Sequence, residues 1–148
     1  MSKIPVADGK TVLLDTVTLI YFLENHERYG ALAESCLRHI EQGKIKGIVS
    51  SLVFAELLVP LYRAEDHAAA SGLVSRLSGF RNLTIHDLDA ETSATAARLR
   101  AKYGLRTPDA IHAASALMFG ADGILTNDRQ LRHLEAEKLT IWLFDDLV

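Results

Sequence analysis

The chain has 148 residues, the length of a typical single domain, and a domain of this size buries about two-thirds of its unfolded surface without a metal or disulfide staple. Its 49% hydrophobic and 24% charged residues exclude the disordered classes. The formal net charge of −3 lacks the basic excess of most nucleic-acid binders. We therefore predict one globular domain over residues 1–148.

Cysteine content and hydropathy predict the compartment. The only cysteine, Cys36, excludes a disulfide framework within the chain, and its apolar neighbours predict a buried, inert thiol. Residues 1–10 contain Pro5, Asp8 and Gly9 instead of an apolar signal core. The longest apolar runs, such as 113–121, are far shorter than the roughly 20 residues of a membrane helix. We expect a soluble, cytoplasmic protein with no membrane segment.

The first third of the chain predicts two strands and two helices. Residues 11–14 are a short apolar run, typical of a buried strand. Helical patterns follow at about 17–25 and 28–42. The β-branched residues within 45–50 then favour a second strand.

The middle of the chain predicts two helices and a third strand. Ser50 and Ser51 are suited to cap a helix over 52–63. A further helix is predicted over 66–79, and residues 83–86 have the pattern of a strand.

Two helices and two strands are predicted in the last third, over 90–103, 107–119, 123–126 and 139–144. Gly104 and Gly120 supply the C-terminal stops of the helices. At the start of the second helix, Thr107 is predicted to be the N-cap and Pro108 the first helical residue.

Alternation of strands and helices predicts the α/β class. We expect a three-layer α/β/α arrangement in which helices cover both faces of a central, mainly parallel, five-stranded sheet. In such folds ligands bind beyond the carboxyl ends of the strands. Acidic residues that follow strands are therefore the first candidates for chemistry.

Four acids are predicted to converge at that edge. Asp15 ends the first strand, Glu56 lies in the first turns of the helix after the second, and Asp128 follows the fourth. Asp109 lies in the first turn of its helix, and a right-handed crossover into the fourth strand brings that turn to the same edge.

Structural roles are open for three of the four. Asp109 suits the helix dipole, Asp128 can cap a short helix, and Glu56 can occupy the solvated stripe of an amphipathic helix. Asp15 has no such role, because a carboxylate at the end of a buried central strand is costly unless a charge or hydrogen bonds compensate it. A bound cation is the compensation that we expect.

Oxygen donors without cysteine or histidine favour Mg²⁺ or Mn²⁺ over zinc, and phosphoryl transfer is the natural chemistry of such sites. Whether one or two ions bind stays open. Setting the four acids aside as ligands leaves 15 acidic against 16 basic residues, so the net charge no longer argues against a nucleic-acid substrate.

Four segments, in order, resemble the PIN-domain family, and the resemblance spans nearly the whole chain: residues 13–16, 51–56, 107–114 and 125–129. Size and the closing Thr-Asn-Asp look most like VapC-type toxins, endoribonucleases that a VapB-type antitoxin silences. The resemblance implies a PIN-like fold, an RNA substrate, a homodimer and an antitoxin partner.

The resemblance also implies roles for individual residues. Asp15, Glu56, Asp109 and Asp128 correspond to the acidic metal-binding and catalytic quartet. Thr126 is expected to place its hydroxyl near the metal and the phosphate. The chain departs from the family pattern at Val17, where Asn or Ser is common, and Thr18 is the candidate replacement for that polar group.

Other residues have weaker signals. Arg106 and Arg129 are expected to be solvated surface residues, with contact to RNA phosphate or to an antitoxin carboxylate as the alternative. His112 is expected on the polar side of an alanine-rich helix, without a catalytic role, and contact with the site is the alternative because it lies one helical turn from Asp109. An excess of apolar residues is compatible with a dimer or with a groove for an antitoxin helix: Leu19, Ile20, Phe22, Leu23, Leu57, Leu58, Leu61 and Tyr62.

Three alternatives to a toxin were weighed. A housekeeping RNA-processing nuclease has the same site, and a catalytically dead PIN-like binding module has the same fold. A phosphorylated receiver domain is disfavoured, because Asp15 is followed by Thr16 instead of a second acid, and Asp145 and Asp146 stand where a lysine is needed after the last strand.

Overall fold

A parallel sheet organises the part of the chain that the computed structural model describes, residues 4–148. Its strands are β1 (Thr11–Leu14), β2 (Lys46–Ser50), β3 (Leu83–His86), β4 (Gly123–Thr126) and β5 (Thr140–Leu143). They lie in the order β3-β2-β1-β4-β5, and all four pairings are parallel. The predicted five-stranded α/β fold is therefore confirmed. The predicted domain of 1–148 includes residues 1–3, which lie outside the described residues.

Helices connect the strands. They are α1 (Thr16–Leu23), α2 (Gly30–Glu41), α3 (Leu52–Leu57), α4 (Val59–Arg63), α5 (His67–Ser78), α6 (Ala90–Tyr103), α7 (Thr107–Met118) and α8 (Phe144–Leu147), with a 3₁₀ segment at Arg129–Glu137. Within residues 4–148, none of them combines the length and apolar character required to cross a membrane.

Apolar residues pack on both faces of the sheet. Neighbouring strand residues point to opposite faces, so Leu14 joins a cluster with α1, α2 and α5, while Leu13 joins one with α6 and α7. Both leucines are fully buried. Cys36 lies in the first cluster, and burial raises the pKa of its thiol to about 12, as expected of an unreactive cysteine.

The helix predicted over 52–63 is wrong in one respect, because α3 ends at Leu57 and α4 begins at Val59. Pro60 explains the break. Its ring excludes a hydrogen bond to the carbonyl of Glu56 and clashes with that carbonyl in a continuous helix. The carboxylate of Glu56 therefore projects from a helix of only six residues.

The start of α7 also differs from the prediction. Arg106, with an extended backbone, is the N-cap, and Thr107 is already helical. Pro108 consequently takes the second helical position, where its missing N–H costs nothing because the first helical N–H groups have no partner within the helix. The shift places Arg106 directly before the first turn, which carries Asp109.

Candidate active site

Asp15 follows β1, the central strand, and its side chain faces the carboxyl edge of the sheet. The residue is 9% exposed. It is the N-cap of α1, yet its carboxylate accepts no capping hydrogen bond. Its Oδ2 instead accepts a 2.6 Å hydrogen bond from the hydroxyl of the buried Thr126 at the end of β4. Among the described residues, the ionic contact of the other oxygen, Oδ1, is His112 Nε2 at 3.6 Å, so Oδ1 is available to a ligand.

A cleft of about 610 Å³ opens above Asp15. It is lined by Asp15, Thr16, Val17, Ile20, Tyr21, Glu56, Arg106, Asp109, His112, Asn127, Asp128 and Arg129. All four predicted acids are in this lining. They come from the ends of β1 and β4, from α3 and from α7, so the fold brings together residues that are far apart in the sequence.

Glu56 is held by two neighbours from other elements. Thr16 donates a 2.7 Å hydrogen bond to Glu56 Oε1, and His112 Nε2 lies 3.1 Å from the same oxygen. The hydrogen bond from His112 outweighs partial burial and lowers the pKa of Glu56. Glu56 is therefore ionised at neutral pH, and it is more than a residue on a solvated stripe.

Asp109 lies in the first turn of α7 and is 6% exposed. Burial raises the pKa of its carboxyl, the charges of Asp128 and Asp15 act in the same direction, and the hydrogen bond from Arg106 offsets only part of the effect. Arg106 contacts Asp109 through Nε, 3.0 Å from Oδ2, and through Nη2, 3.4 Å from Oδ1. Because the Arg106 side chain is 74% exposed, this ion pair is weak and replaceable.

Asp128 lies at the cleft wall and also has the structural role that was weighed for it. Its Oδ1 accepts a 3.0 Å hydrogen bond from the backbone N–H of Gln130, which caps the 3₁₀ segment. Its own N–H donates to the hydroxyl of Thr126. Its second carboxylate oxygen is left for the cleft.

The donor set suits a hard divalent cation, but no closed cage is formed. Among residues 4–148, no three acidic, histidine or cysteine side chains lie close enough to hold a metal ion together. Mg²⁺ commonly binds through one or two carboxylates and keeps several waters. Two carboxylates meet that requirement. Among the described residues, the ionic contacts of Asp15 include no lysine or arginine. The ion pair of Asp109 with Arg106 is replaceable.

The location predicted for His112 is wrong. Its side chain is 1% exposed, and besides Glu56 its Nε2 lies 3.1 Å from Thr16 Oγ1 and 3.6 Å from Asp15 Oδ1. Burial opposes the charged ring, but the hydrogen bond to Glu56 and the charges of the nearby acids outweigh it and raise the pKa of His112. Its position three residues after Asp109 places both on one face of α7, the one signal in the sequence that locates it.

The hydroxyls of two threonines that the sequence singles out are held by hydrogen bonds within the protein. Thr126 is fully buried, and its hydroxyl is committed to Asp15. Thr18 donates to the backbone carbonyl of Leu125 at 3.2 Å, which places its hydroxyl beneath the site. Val17 lines the cleft where a polar residue was expected from the resemblance.

Polar residues flank the cleft. Arg129 is 64% exposed and lies 3.8 Å from Asp146 in α8. Asn127 donates to the hydroxyl of Tyr21 at 3.1 Å and accepts from the N–H of Asp145 at 3.0 Å, so it ties α8 to the cleft wall. The arginines are solvent-exposed, as predicted, and both lie at the cleft.

A model of the PIN domain family matches residues 12–137, a range that contains all four acids. No match to the chain was found among curated proteins.

Several solved structures share the fold. VapBC2 from Rickettsia felis, bound to a DNA fragment from its promoter, matches with a TM-score of 0.67 and 21% identity over 89% of this chain and 98% of that one. A toxin-antitoxin complex from Klebsiella pneumoniae matches with a TM-score of 0.61 and 19% identity over 81% of this chain and 89% of that one. VapC20 from Mycobacterium tuberculosis, a Sarcin-Ricin loop cleaving toxin, matches with a TM-score of 0.58 and 18% identity over 76% of this chain and 86% of that one. At these identities the likeness shows the fold alone.

Metal-free stability should depend on pH through Asp109. Because the folded-state pKa of Asp109 is raised, the folded protein keeps a proton that the unfolded chain has already lost. The stabilisation is complete below the unfolded pKa and is lost as pH rises through the folded pKa. The free energy of unfolding of wild type, minus that of Asp109→Asn, should therefore fall as pH rises from acid to neutral. Urea denaturation in chelator measures this difference.

Asp89→Asn is the matched control. Hydrogen bonds from Thr92 lower the pKa of Asp89, so the corresponding difference should change in the opposite direction, rising with pH. A difference for Asp109→Asn that stays flat or rises with pH would contradict the assignment of a raised pKa.

Proposed function

The chain belongs to the PIN domain family, and we propose that it is a Mg²⁺- or Mn²⁺-dependent endoribonuclease that hydrolyses RNA phosphodiester bonds as the toxin of a VapBC-type pair. PIN domains are generally nucleases. One observation carries the proposal. Asp15 holds a buried carboxylate with one free oxygen at the floor of a cleft that Glu56, Asp109 and Asp128 also line.

In this proposal the metal is held by oxygens of the acidic quartet. The carboxylates of Asp15 and Asp109 would hold it, and Glu56 and Asp128 would contribute directly or through water. When bound, the cation supplies the positive charge that activates water and offsets negative charge on the phosphate oxygens. Thr126 orients Asp15 by its 2.6 Å hydrogen bond, so we assign it an orienting role in catalysis.

Substrate contact is assigned to the two arginines at the cleft. Arg106 and Arg129 extend exposed guanidinium groups beside the acids, and guanidinium groups bind phosphate in two-point contacts. If Asp109 were to hold the cation, the guanidinium of Arg106 would be free to contact the RNA backbone. The arginines thereby supply a local positive surface that the net charge of −3 conceals.

The structural neighbours support the toxin reading over a housekeeping nuclease. Two of those described are named as a toxin or a toxin-antitoxin complex. A housekeeping PIN nuclease has the same cleft and no antitoxin, and a dead binding module has the fold without cleavage. Partner binding and metal-dependent cleavage separate the three.

An apolar groove on this chain suits an antitoxin helix. Leu23, 44% exposed, lines two adjoining grooves of about 290 and 210 Å³ between α1 and α5. Ile20 and Glu56 line both the larger groove and the acidic cleft, so the two are continuous. A helix with apolar anchors at helical spacing, seated in this groove, reaches the cleft. We also propose a homodimer, on the family resemblance.

Asp15→Asn should reduce RNA cleavage by roughly 100-fold or more, because the amide keeps the shape and the hydrogen bond from Thr126 but removes the charge that holds the cation. Cleavage of labelled RNA is measured with Mg²⁺ or Mn²⁺, and again with chelator. Asp87→Asn, an exposed acid outside the cleft, is the control and should retain wild-type rates. Full activity in Asp15→Asn, or in chelator, would overturn the metal assignment.

Leu23→Glu should abolish binding of the small protein encoded beside this chain's gene while leaving RNA cleavage intact, because it introduces a charge into the groove and leaves the acids untouched. Co-purification and light scattering measure the complex and the homodimer. Leu88 is a comparably exposed leucine outside the groove, so the control variant Leu88→Glu should bind the neighbouring small protein as wild type does. If wild type never co-purifies with that neighbour, and expression alone leaves growth unchanged, the housekeeping reading replaces the toxin.

A further inference from the structure

His112 is the most deeply buried titratable group of the cleft, and the metal and substrate roles proposed above do not use it. Its side chain is 1% exposed, at the junction of α7, α3 and the first residue of α1. Its Nε2 lies 3.1 Å from Glu56 Oε1 and 3.1 Å from Thr16 Oγ1. A ring in this position contacts three elements of the site at once.

The acceptor fixes the direction of the hydrogen bond. A carboxylate oxygen only accepts, so Nε2 carries a hydrogen and donates it to Glu56 Oε1. The Thr16 hydroxyl donates to the same oxygen at 2.7 Å. The other ring nitrogen, Nδ1, is buried and has no partner among the described residues. Glu56 is therefore the only acid of the cleft that lies within hydrogen-bond distance of the His112 donor among the described residues.

Glu56 needs this support. Its side chain is 35% exposed, and it projects from the six-residue helix α3, which stops at Leu57. A long exposed glutamate loses conformational entropy when it is fixed, so without partners it swings into solvent. Both hydrogen bonds use Oε1, so they hold the side chain at the cleft that Glu56 lines and leave Oε2 free of these two donors.

We propose that His112 is a positioning residue that holds Glu56 over the cleft through Nε2–H and thereby sets the affinity of the acidic cleft for a divalent cation. The inference rests on the proposed function, since it assigns Glu56 a part in cation binding. His112 touches neither cation nor RNA in this scheme. It acts through Glu56, as second partners of metal-binding side chains commonly do.

The test is the affinity of the isolated protein for Mn²⁺, measured without RNA. Calorimetry measures it, as does the electron paramagnetic resonance signal of free Mn²⁺. His112→Phe fills the ring volume and removes the donor, so it should weaken Mn²⁺ binding roughly 10- to 100-fold. His112→Gln places an amide donor near the Nε2 position and should restore most of the affinity. If His112→Phe does not fold, His112→Asn, whose shorter amide does not reach Glu56, takes its place.

A double-mutant cycle separates positioning from general stability. In a Glu56→Ala background, His112→Phe should have no further effect on Mn²⁺ affinity, because the side chain through which it acts is gone. His86→Phe is the matched control. His86 is also a buried histidine with an unpartnered Nδ1 in the described residues, but it bonds to Thr92 outside the cleft, so this variant should bind Mn²⁺ as wild type does.

The outcomes distinguish this inference from the proposed function. Wild type that binds no Mn²⁺ overturns the metal site itself, and the inference with it. If wild type binds Mn²⁺ and His112→Phe has the same Mn²⁺ affinity, the positioning role alone is overturned. It is also overturned if His112→Phe lowers the Mn²⁺ affinity equally with and without Glu56. The positioning role is overturned as well if His112→Gln binds Mn²⁺ no more tightly than His112→Phe does.

Discussion

A carboxylate at the end of the central strand of a parallel sheet is the constraint on which the site depends. Asp15 is 9% exposed and follows β1, which is hydrogen-bonded on both sides by β2 and β4. Such a charge is costly to bury unless hydrogen bonds or a cation compensate it. The Thr126 hydroxyl satisfies one oxygen, and the other is the one that we propose would bind a cation.

The remaining acids are distributed so that each has partial compensation. Glu56 accepts from Thr16 and His112, and Asp128 caps the 3₁₀ segment. Asp109 is paired with Arg106. These contacts let the folded protein tolerate four carboxylates in one cleft. The pair at Asp109 is exposed on its arginine side, so we propose that a cation would replace it.

α7 is the element that connects the core with the chemistry. Its alanine-rich face packs on the sheet, and small side chains let it approach β1 and β2 closely. Its first turn carries Asp109, and His112 lies one turn further on, within reach of α3. A single helix therefore fixes the separation of Asp109 from Glu56.

Much of the fold could be predicted from local patterns. The apolar runs of β1 and β4 and the glycine stop after α6 have clear local causes, and β1, β3, β4 and α6 have the predicted bounds. The four acids were predicted to share one edge because parallel strands end together. Their roles as metal ligands stay a proposal.

Other features depended on contacts that no local pattern encodes. His112 is buried because α3 and α1 close over it, whereas its own helix sequence is compatible with exposure. The break before Val59 follows from Pro60, a local signal that the apolar pattern over 52–63 concealed. The cap by Asp128 is a local contact that the sequence predicts, whereas the hydrogen bond from Thr126 to Asp15 joins two strands and requires the tertiary geometry.

We propose that Asp15 and Asp109 would hold a divalent cation and that its binding would displace Arg106 from Asp109. A crystal structure of wild type soaked with Mn²⁺, with data collected at the manganese absorption edge, tests it most directly. An anomalous peak in the cleft beside the carboxylate of Asp15, with Arg106 withdrawn from Asp109, is the expected result. Absence of a peak in the cleft at saturating Mn²⁺, or a peak with the Arg106–Asp109 pair intact, would contradict the account.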